Sequence, residues 1–180
     1  MPRSAVPVDD EPRIETNAEL DQHFLSNPAK LALLIEAAVI RSTDHVVEAG
    51  AGIGTVAARV PSCQRLTVIE YDINLVPYLR KRVPHAQVIQ GDALVSLPTL
   101  RCDVLLSNLP SRLTARLVAL LPRLDFRLAA ITVSSIDELT ALEGVFAIES
   151  VAVLEPDDFR PRQSARAEIV SVARAEEHGP

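Results

Sequence analysis

Three glycines in one short stretch are the first residues of this chain whose type and spacing could do chemistry. Gly50, Gly52 and Gly54 follow the apolar run VVEA, in a chain with only six glycines. Lacking side chains, they would let a ligand approach the backbone, and the amides of a helix opening here would point outward toward an anionic or zwitterionic group. The spacing is G-x-G-x-G, so the dinucleotide fingerprint G-x-G-x-x-G is not met in full. A plain tight turn between strand and helix stays an alternative.

Acidic residues close the next two apolar runs. Glu70 ends LTVIE, where a carboxylate could accept hydrogen bonds from both hydroxyls of a ribose. Asp92 follows QVIQG and could accept from the exocyclic amine of an adenine. Either acid taken alone could equally be a solvated helix cap. Together with the glycine loop, the two acids indicate a ligand that contains a nucleoside.

The fourth apolar run ends in LLSNLPS. Asn108 offers a side-chain oxygen, and Leu109 offers a carbonyl on a backbone that Pro110 stiffens. Two such acceptors can hold an amine so that its nitrogen lone pair faces an electrophile, a task with no obvious place in hydride transfer. Glu70 does not exclude a nicotinamide enzyme, which would also use an acid at this position. The Asn-Leu-Pro run does discriminate, and it favours group transfer to an amine over hydride transfer. An ordinary Asn-Leu-Pro turn remains possible.

The elements that position these residues alternate between strand and helix. The runs HVVEA, LTVIE, QVIQ, CDVLLS and LAAITVS are typical of strands buried on both faces. The segments SNPAKLALLIEAAVI, GTVAARV, INLVPYLRKR, RLTARLVALL and SIDELTAL predict helices, with Pro77 kinking or delaying the third. This order predicts an α/β fold, a parallel sheet with helices on both faces and ligands at the carboxyl ends of the strands. VFAIESVAVLE and AEIVSVARA predict a terminal antiparallel pair.

Composition narrows the class of protein further. The chain has 180 residues and 48% hydrophobic residues, which predicts one domain, residues 22–175, between disordered tails at residues 1–21 and 176–180. Residues 1–22 contain six acids and two arginines and so carry −4 of the net charge of −6. The rest of the chain carries only −2. This balance is not that of a dedicated nucleic-acid binder. Two distant cysteines, no secretory signal and no long apolar run predict a cytoplasmic protein without a disulfide framework, a metal site or a membrane segment.

Six segments together resemble one family. QHFLSNPA, EAGAGIGT, VIEYD, QGDAL, NLPS and VLEPDDFRPRQSARAEIVSV are similar, in this order and from about residue 22 to residue 174, to the catalytic domain of the ribosomal RNA adenine N6-dimethyltransferases. That family includes the bacterial small-subunit dimethylase and the macrolide-resistance methylases. The resemblance implies a Rossmann-like class I methyltransferase fold with a mostly parallel seven-stranded sheet. It also implies S-adenosyl-L-methionine as cofactor and rRNA as partner.

The resemblance also implies roles for individual residues. Gln22, His23 and Leu25 would lie, with the glycine loop, near the methionine end of the cofactor. Glu70 would bind the ribose with Tyr71 against an adenine face, and Asp92 with Ala93 would hold the adenine. The catalytic residues would be Asn108, Leu109 and Pro110, which orient the target amine. Phe159 would line the target-base pocket together with Ser111, which stands where the family usually has an aromatic residue.

Three hypotheses about function follow. In the first, methyl passes from S-adenosylmethionine to an adenine N6 in RNA. In the second, the acceptor is a small molecule, as suggested by the weak basic balance, by Ser111 and by a segment before VFAIES that is shorter than in the family. In the third, the chain is a cofactor-binding module that does not catalyse. Neither the number of methyl groups added nor the oligomeric state follows from the sequence.

Overall fold

A seven-stranded sheet forms the centre of the structure, a computed structural model that describes residues 18–174. The strands in chain order are β1 (Phe24–Leu25), β2 (His45–Ala49), β3 (Arg65–Glu70), β4 (Gln87–Gln90), β5 (Val104–Ser107), β6 (Leu128–Val133), β7 (Phe146–Leu154), β8 (Phe159–Arg160) and β9 (Ala167–Arg174). The central sheet has the order β4-β3-β2-β5-β6-β9-β7. Its first five strands are parallel, and β9 runs antiparallel to both of its neighbours. The predicted mostly parallel sheet with a terminal antiparallel pair is confirmed.

Helices cover both faces of this sheet. The α-helices are α1 (Pro28–Ala37), α2 (Val76–Arg82), α3 (Ala93–Ser96) and α4 (Ser111–Leu120). Successive strand residues face opposite sides, as the pleat requires. In β2, Val46 joins the hydrophobic cluster that contains Leu31 of α1 and Leu79 of α2, whereas Val47 joins the cluster beneath α3 and α4. HVVEA, LTVIE, CDVLLS and LAAITVS therefore form strands buried on both sides, as predicted. The same prediction was wrong for QVIQ, because β4 lies at the edge of the sheet and no residue along it is fully buried.

The helix starts follow from local residue types. The side-chain oxygen of Asn27 accepts a hydrogen bond from the Ala29 N–H at 2.9 Å, which caps α1. Pro77 lies in the first turn of α2, where its missing N–H costs no intrahelical hydrogen bond. The delay predicted for this helix is confirmed, because α2 begins only at Val76.

Two segments predicted as helices differ in the structure. GTVAARV forms turns followed by a single 3-10 turn at Ala57–Arg59. The reason is that Gly52 and Gly54 have positive φ angles of 55° and 84°, outside the right-handed helical region. SIDELTAL is a 3-10 helix, Ile136–Leu142, with a capping box formed by Ser135 and Glu138 at its start.

A second, two-stranded sheet was not predicted. Strands β1 and β8 pair antiparallel, with Phe24 opposite Arg160 and Leu25 opposite Phe159. Ser26 and Asn27 reinforce the pairing, because their backbone N–H groups donate to the Asp158 carbonyl at 2.8 and 3.1 Å. This small sheet brings the start of the described chain to the loop that follows β8.

The predicted tails fall mostly outside the described residues. Residues 1–17 and 175–180 lie there, which includes the whole of the predicted C-terminal tail. Residues 18–21 of the segment predicted to be disordered are described, and Ala18–Leu20 forms a 3-10 turn. Among residues 18–174, no helix combines the length and the apolar character needed to cross a membrane.

One partly buried ion pair joins the residues that precede β2 and β6. Asp44, which is 4% exposed, accepts from the Arg127 guanidinium at 2.8 Å and from the Arg41 N–H at 2.7 Å. Replacing Asp44 with alanine leaves a largely buried guanidinium and an amide without this acceptor. We expect the free energy of unfolding to fall by about 2 kcal/mol, measured by denaturant titration.

An exposed ion pair provides the matched control for this prediction. Arg101 and Asp125 lie 3.5 Å apart, with side chains that are 91% and 72% exposed. Asp125→Ala should change the free energy of unfolding by less than about 1 kcal/mol. Equal losses for the two variants would contradict the structural role given to Asp44.

Candidate active site

A cavity of about 290 Å³ opens at the carboxyl edge of the central sheet. It lies where strand order reverses, because β2 has β3 on one side and β5 on the other. Its walls include these predicted residues: Gln22, His23, Leu25, Gly50, Gly52, Glu70, Tyr71, Asp92, Ala93, Asn108, Leu109 and Pro110. Gly54 does not line this cavity. A Cβ added there would lie 3.0 Å from Leu79 Cδ1, so Gly54 allows the loop to pack against α2.

The other two glycines of the loop are required by close packing as well as by backbone conformation. Gly50 and Gly52 have φ angles of 74° and 55°. An added Cβ would lie 2.5 Å from Leu109 Cδ2 at Gly50 and 2.6 Å from Phe24 Cε1 at Gly52. The loop therefore touches the Asn-Leu-Pro segment on one side and the small sheet on the other, which closes the cavity around it.

The amides of the glycine loop do not point outward as predicted. Gly52 N–H donates to Glu70 Oε2 at 2.6 Å. The N–H groups of Gly50 and Ala51 both donate to the Ile69 carbonyl at 2.9 Å. Because no α-helix starts in this loop, its amides bind β3 rather than facing the cavity.

Glu70 connects the glycine loop to the end of β3. Besides the Gly52 amide on Oε2, its Oε1 accepts from the Asp72 N–H at 2.7 Å. The side chain is buried, and burial raises the pKa of Glu70, opposed by these backbone hydrogen bonds. A carboxylate has about four acceptor sites, so each oxygen can still accept from a ligand hydroxyl.

Glu48 is a second buried acid in the cavity wall, and sequence reasoning gave it no role. It is 2% exposed on β2, and among the described residues its Oε2 has no hydrogen-bond partner. Burial raises the pKa of Glu48 well above its usual value, and the nearby Glu70 charge adds to the effect. The available signal was an acid inside the otherwise apolar run VVEA.

The predicted adenine-binding residues lie at the far end of β4 and beside β3. Asp92 Oδ1 accepts from the Leu94 N–H at 2.8 Å and caps α3. The cap considered as an alternative therefore exists, and Asp92 also lines the cavity. Ala93 is buried next to it, whereas Tyr71 is 61% exposed on the rim. An exposed aromatic ring at a cavity rim is free to cover a flat ligand.

The Asn-Leu-Pro segment follows β5 and lies beside β6. Because Ser107 pairs with Ile131, the next residues, Asn108 and Thr132, come side by side. Thr132 is 3% exposed, and its hydroxyl donates to Asn108 Oδ1 at 2.9 Å. This contact fixes the Asn108 side chain and leaves one acceptor site on its oxygen. Sequence reasoning missed Thr132, since only strand register brings it there.

The segment before α1 closes the cavity from the side. Gln22 Nε2 donates to Asp72 Oδ2 at 2.9 Å. His23 Nδ1 donates to the Pro161 carbonyl at 3.0 Å, and Leu25 is buried in β1. These three predicted residues thus lie together, held by contacts with β3 and with the loop after β8.

A smaller cavity of about 90 Å³ shares the Asn-Leu-Pro wall with the first. Both residues predicted to bind the substrate, Ser111 and Phe159, line it, although Phe159 is only 2% exposed. Hydroxyl side chains make up much of the remaining wall, from Thr114, Thr132, Ser134 and Ser164. Over residues 18–174, no group of three or more His, Cys, Asp or Glu side chains is placed to hold a metal ion.

Comparison with solved structures identifies the class of fold. A dimethyladenosine transferase from Plasmodium falciparum superposes with a TM-score of 0.76 at 22% identity, over 84% of this chain and 63% of the other. The 23S rRNA methyltransferase ErmE superposes with a TM-score of 0.75 at 21% identity, over 86% and 70%. The fold is the Rossmann-like fold of class I methyltransferases, as predicted.

The sequence identifies the family within that class. Residues 13–124 match the family model described as ribosomal RNA adenine dimethylase, and the chain belongs to this family. A probable dimethyladenosine transferase of Dictyostelium discoideum is 34% identical over 111 residues, which are 57% of this chain and 35% of that protein. The chain matches only about a third of the length of this relative.

Proposed function

We propose that this chain is an S-adenosylmethionine-dependent methyltransferase that acts on the N6 amine of adenine in ribosomal RNA. Family membership supports the reaction, and the cavity supports the cofactor. The observation that carries the proposal is the convergence of Glu48, Glu70, Asp92 and Asn108, from the ends of four parallel strands, on one cavity. The cytoplasmic location stays a prediction.

Polar groups of the cavity suit the ammonium, ribose and adenine groups of the proposed cofactor. S-adenosylmethionine carries an ammonium group at one end and a ribose and adenine at the other. The unpartnered Glu48 Oε2 can accept from the ammonium, and Glu70 can accept from the ribose hydroxyls. Asp92 has its Oδ1 on the helix cap, which leaves Oδ2 for the adenine amine. Tyr71 can cover the adenine ring from the exposed rim.

The chain's part in methyl transfer is to hold the acceptor. The cofactor, when bound, supplies a methyl group already activated on a sulfonium centre. Asn108 and Leu109 line both cavities, and each has a carbonyl oxygen that can accept from an amine. They accept hydrogen bonds from the amine and direct its lone pair toward the larger cavity. Orientation of this kind is the main rate-raising contribution expected of the protein.

Thr132 acts in this scheme as a positioning residue. Thr132→Val keeps the side-chain volume but removes the hydroxyl that holds Asn108 Oδ1. We expect kcat to fall about 10-fold, because the amide is then free to rotate, with KM for the cofactor unchanged. Steady-state kinetics with rRNA measure both constants.

A serine variant separates positioning from packing. Thr132→Ser retains the hydroxyl but loses the methyl group, and we expect it to restore most of kcat. Either of two results would contradict the positioning role of the Thr132 hydroxyl: a Thr132→Val enzyme with the wild-type kcat, or a Thr132→Ser enzyme as slow as Thr132→Val.

Methyl-labelled cofactor tests the proposed function directly. The chain is incubated with labelled S-adenosylmethionine and either purified rRNA or the small-molecule fraction of a cell extract. We expect label in N6-methyladenine of the RNA, with transfer that weakens steeply as salt rises because phosphate contacts release counterions. Label confined to small molecules would show that the methyl acceptor is a small molecule and not RNA. Cofactor binding without label in any fraction would support the non-catalytic module.

A further inference from the structure

The loop after β8 carries a buried polar atom that the proposed reaction has not used. Gln163 lines the smaller cavity, and among the described residues its side-chain Oε1 is buried without a hydrogen-bond partner. Buried carbonyl groups in folded proteins nearly always have a partner, and each exception needs an explanation. A ligand in this cavity would supply the missing donor.

We propose that Gln163 is a specificity-determining residue that hydrogen-bonds the methyl acceptor through its side-chain amide. This inference rests on the proposed function and deepens it, since Gln163 would recognise the base that presents the amine. Gln163 lines the same cavity as Asn108, Leu109 and Phe159. An acceptor base held by the Asn-Leu-Pro segment therefore lies within the walls that include Gln163.

The backbone around Gln163 is held in place before any ligand arrives. Its own N–H donates to the Pro156 carbonyl at 3.2 Å. On either side, Arg162 pairs with Asp157 at 2.7 Å and Arg166 pairs with Glu155 at 2.9 Å. Since these contacts use the main chain and the neighbouring arginines, the Gln163 side chain can be changed without removing them.

The amide of Gln163 matches one edge of adenine. It carries an acceptor and a donor side by side, and adenine presents an N–H of its amine next to a ring nitrogen, either N7 or N1. Oε1 would accept from the amine and Nε2 would donate to the ring nitrogen. The amine has two hydrogens, so one would be shared by the Asn108 and Leu109 oxygens in a three-centre hydrogen bond and the other would go to Gln163. A base with a carbonyl at this position, such as uracil or guanine, would face Oε1 with another acceptor.

Deaza bases test the contact atom by atom. Ribosomal RNA transcripts are made with adenosine, 7-deazaadenosine or 1-deazaadenosine, and all three nucleosides keep the amine. The value of kcat/KM on each RNA is then measured for the wild-type chain, for Gln163→Ala and for Gln163→Glu. The wild type should prefer adenosine over one of the two deaza RNAs by about 10-fold. Both variants lack the Nε2 donor, so this preference should vanish in them. An effect of the deaza base on RNA folding cancels in the comparison between the wild type and the variants, because all of them are assayed on the same RNAs.

Two further measurements complete the experiment. The affinity for S-adenosylmethionine should be unchanged in both variants, which also shows that they are folded. Gln64→Ala, at an exposed glutamine ahead of β3, is the matched control and should keep the wild-type preference.

The inference and the proposed function fail in different ways. If the wild type methylates adenosine RNA and Gln163→Ala keeps its rate and its preference, the role of Gln163 is overturned alone. The same holds if the wild type distinguishes neither deaza RNA from adenosine RNA. If the wild type transfers no methyl to any RNA, the proposed function fails, and the inference fails with it.

Discussion

Replacing Asn108 with alanine is expected to lower methyl transfer about 100-fold while leaving the affinity for the cofactor nearly unchanged. The variant removes the side-chain oxygen that Thr132 holds in place, on a residue that lines both cavities. Without it, the acceptor amine loses an orienting partner. The residues proposed to contact the cofactor, Glu48, Glu70 and Asp92, are unchanged in this variant. Single-turnover kinetics and titration calorimetry measure the two effects separately.

Asn74 provides the matched control for this prediction. It is exposed after β3 and lines neither cavity. Asn74→Ala should therefore methylate at the wild-type rate. Normal transfer by Asn108→Ala would show that the Asn-Leu-Pro segment is an ordinary turn and that the amine is held elsewhere.

Replacing Glu48 with glutamine is expected to have two opposite effects. The neutral amide cannot pair with an ammonium as a charge, so affinity for S-adenosylmethionine should weaken by about 2 kcal/mol, or about 30-fold. At the same time, the unliganded protein should become more stable at neutral pH, because a buried carboxylate without a partner for Oε2 is replaced by an uncharged group. Calorimetry measures the first effect and thermal unfolding the second.

The pH dependence of stability should change in the same variant. Burial raises the folded-state pKa of Glu48 well above its ordinary value of 4.5. The stability that this group contributes is then fully present below about pH 4.5 and is lost as pH rises through the raised pKa. The unliganded wild type should therefore lose Tm as pH rises above about 4.5, and Glu48→Gln should lose less.

An exposed glutamate on α1 provides the control for this pH dependence. Glu36→Gln should follow the wild type in both Tm and cofactor affinity, since Glu36 lies on the solvent side of the helix. Parallel pH profiles for the wild type and Glu48→Gln would contradict the assignment of the buried charge to Glu48.

The apolar runs of the sequence were enough to predict the central sheet and the edge of that sheet at which the cavity opens. HVVEA, LTVIE, QVIQ and CDVLLS are apolar on both faces, and parallel pairing then brings the residues that follow them to one edge. That rule is enough to gather Gly50, Glu70, Asp92 and Asn108 around one cavity. Their detailed roles toward a ligand stay predictions.

Other features depend on contacts that no local pattern encodes. The helix predicted after the glycine loop is absent, because Gly52 and Gly54 have positive φ angles outside the right-handed helical region. Thr132 meets Asn108 across 24 residues of sequence through the β5–β6 register. Gln163 lines the smaller cavity with residues far away in the sequence, such as Asn108 and Thr132. Long-range packing therefore brings Thr132 and Gln163 to the site, whereas Glu48 was marked by the local sequence.

The small sheet also explains how the start of the described chain contributes to the site. Phe24 in β1 covers Gly52, where any side chain would collide with the ring. The same pairing places Phe159 in the wall of the smaller cavity. Segments more than a hundred residues apart thus line the smaller cavity together.

Titration calorimetry of the folded chain with S-adenosylmethionine, and separately with its demethylated product, tests the central claim most directly. We expect saturable binding at one site for both compounds, with affinity that falls in Glu48→Gln and persists in Asn108→Ala. A folded wild-type chain that binds neither compound would contradict the account of the larger cavity as a cofactor site.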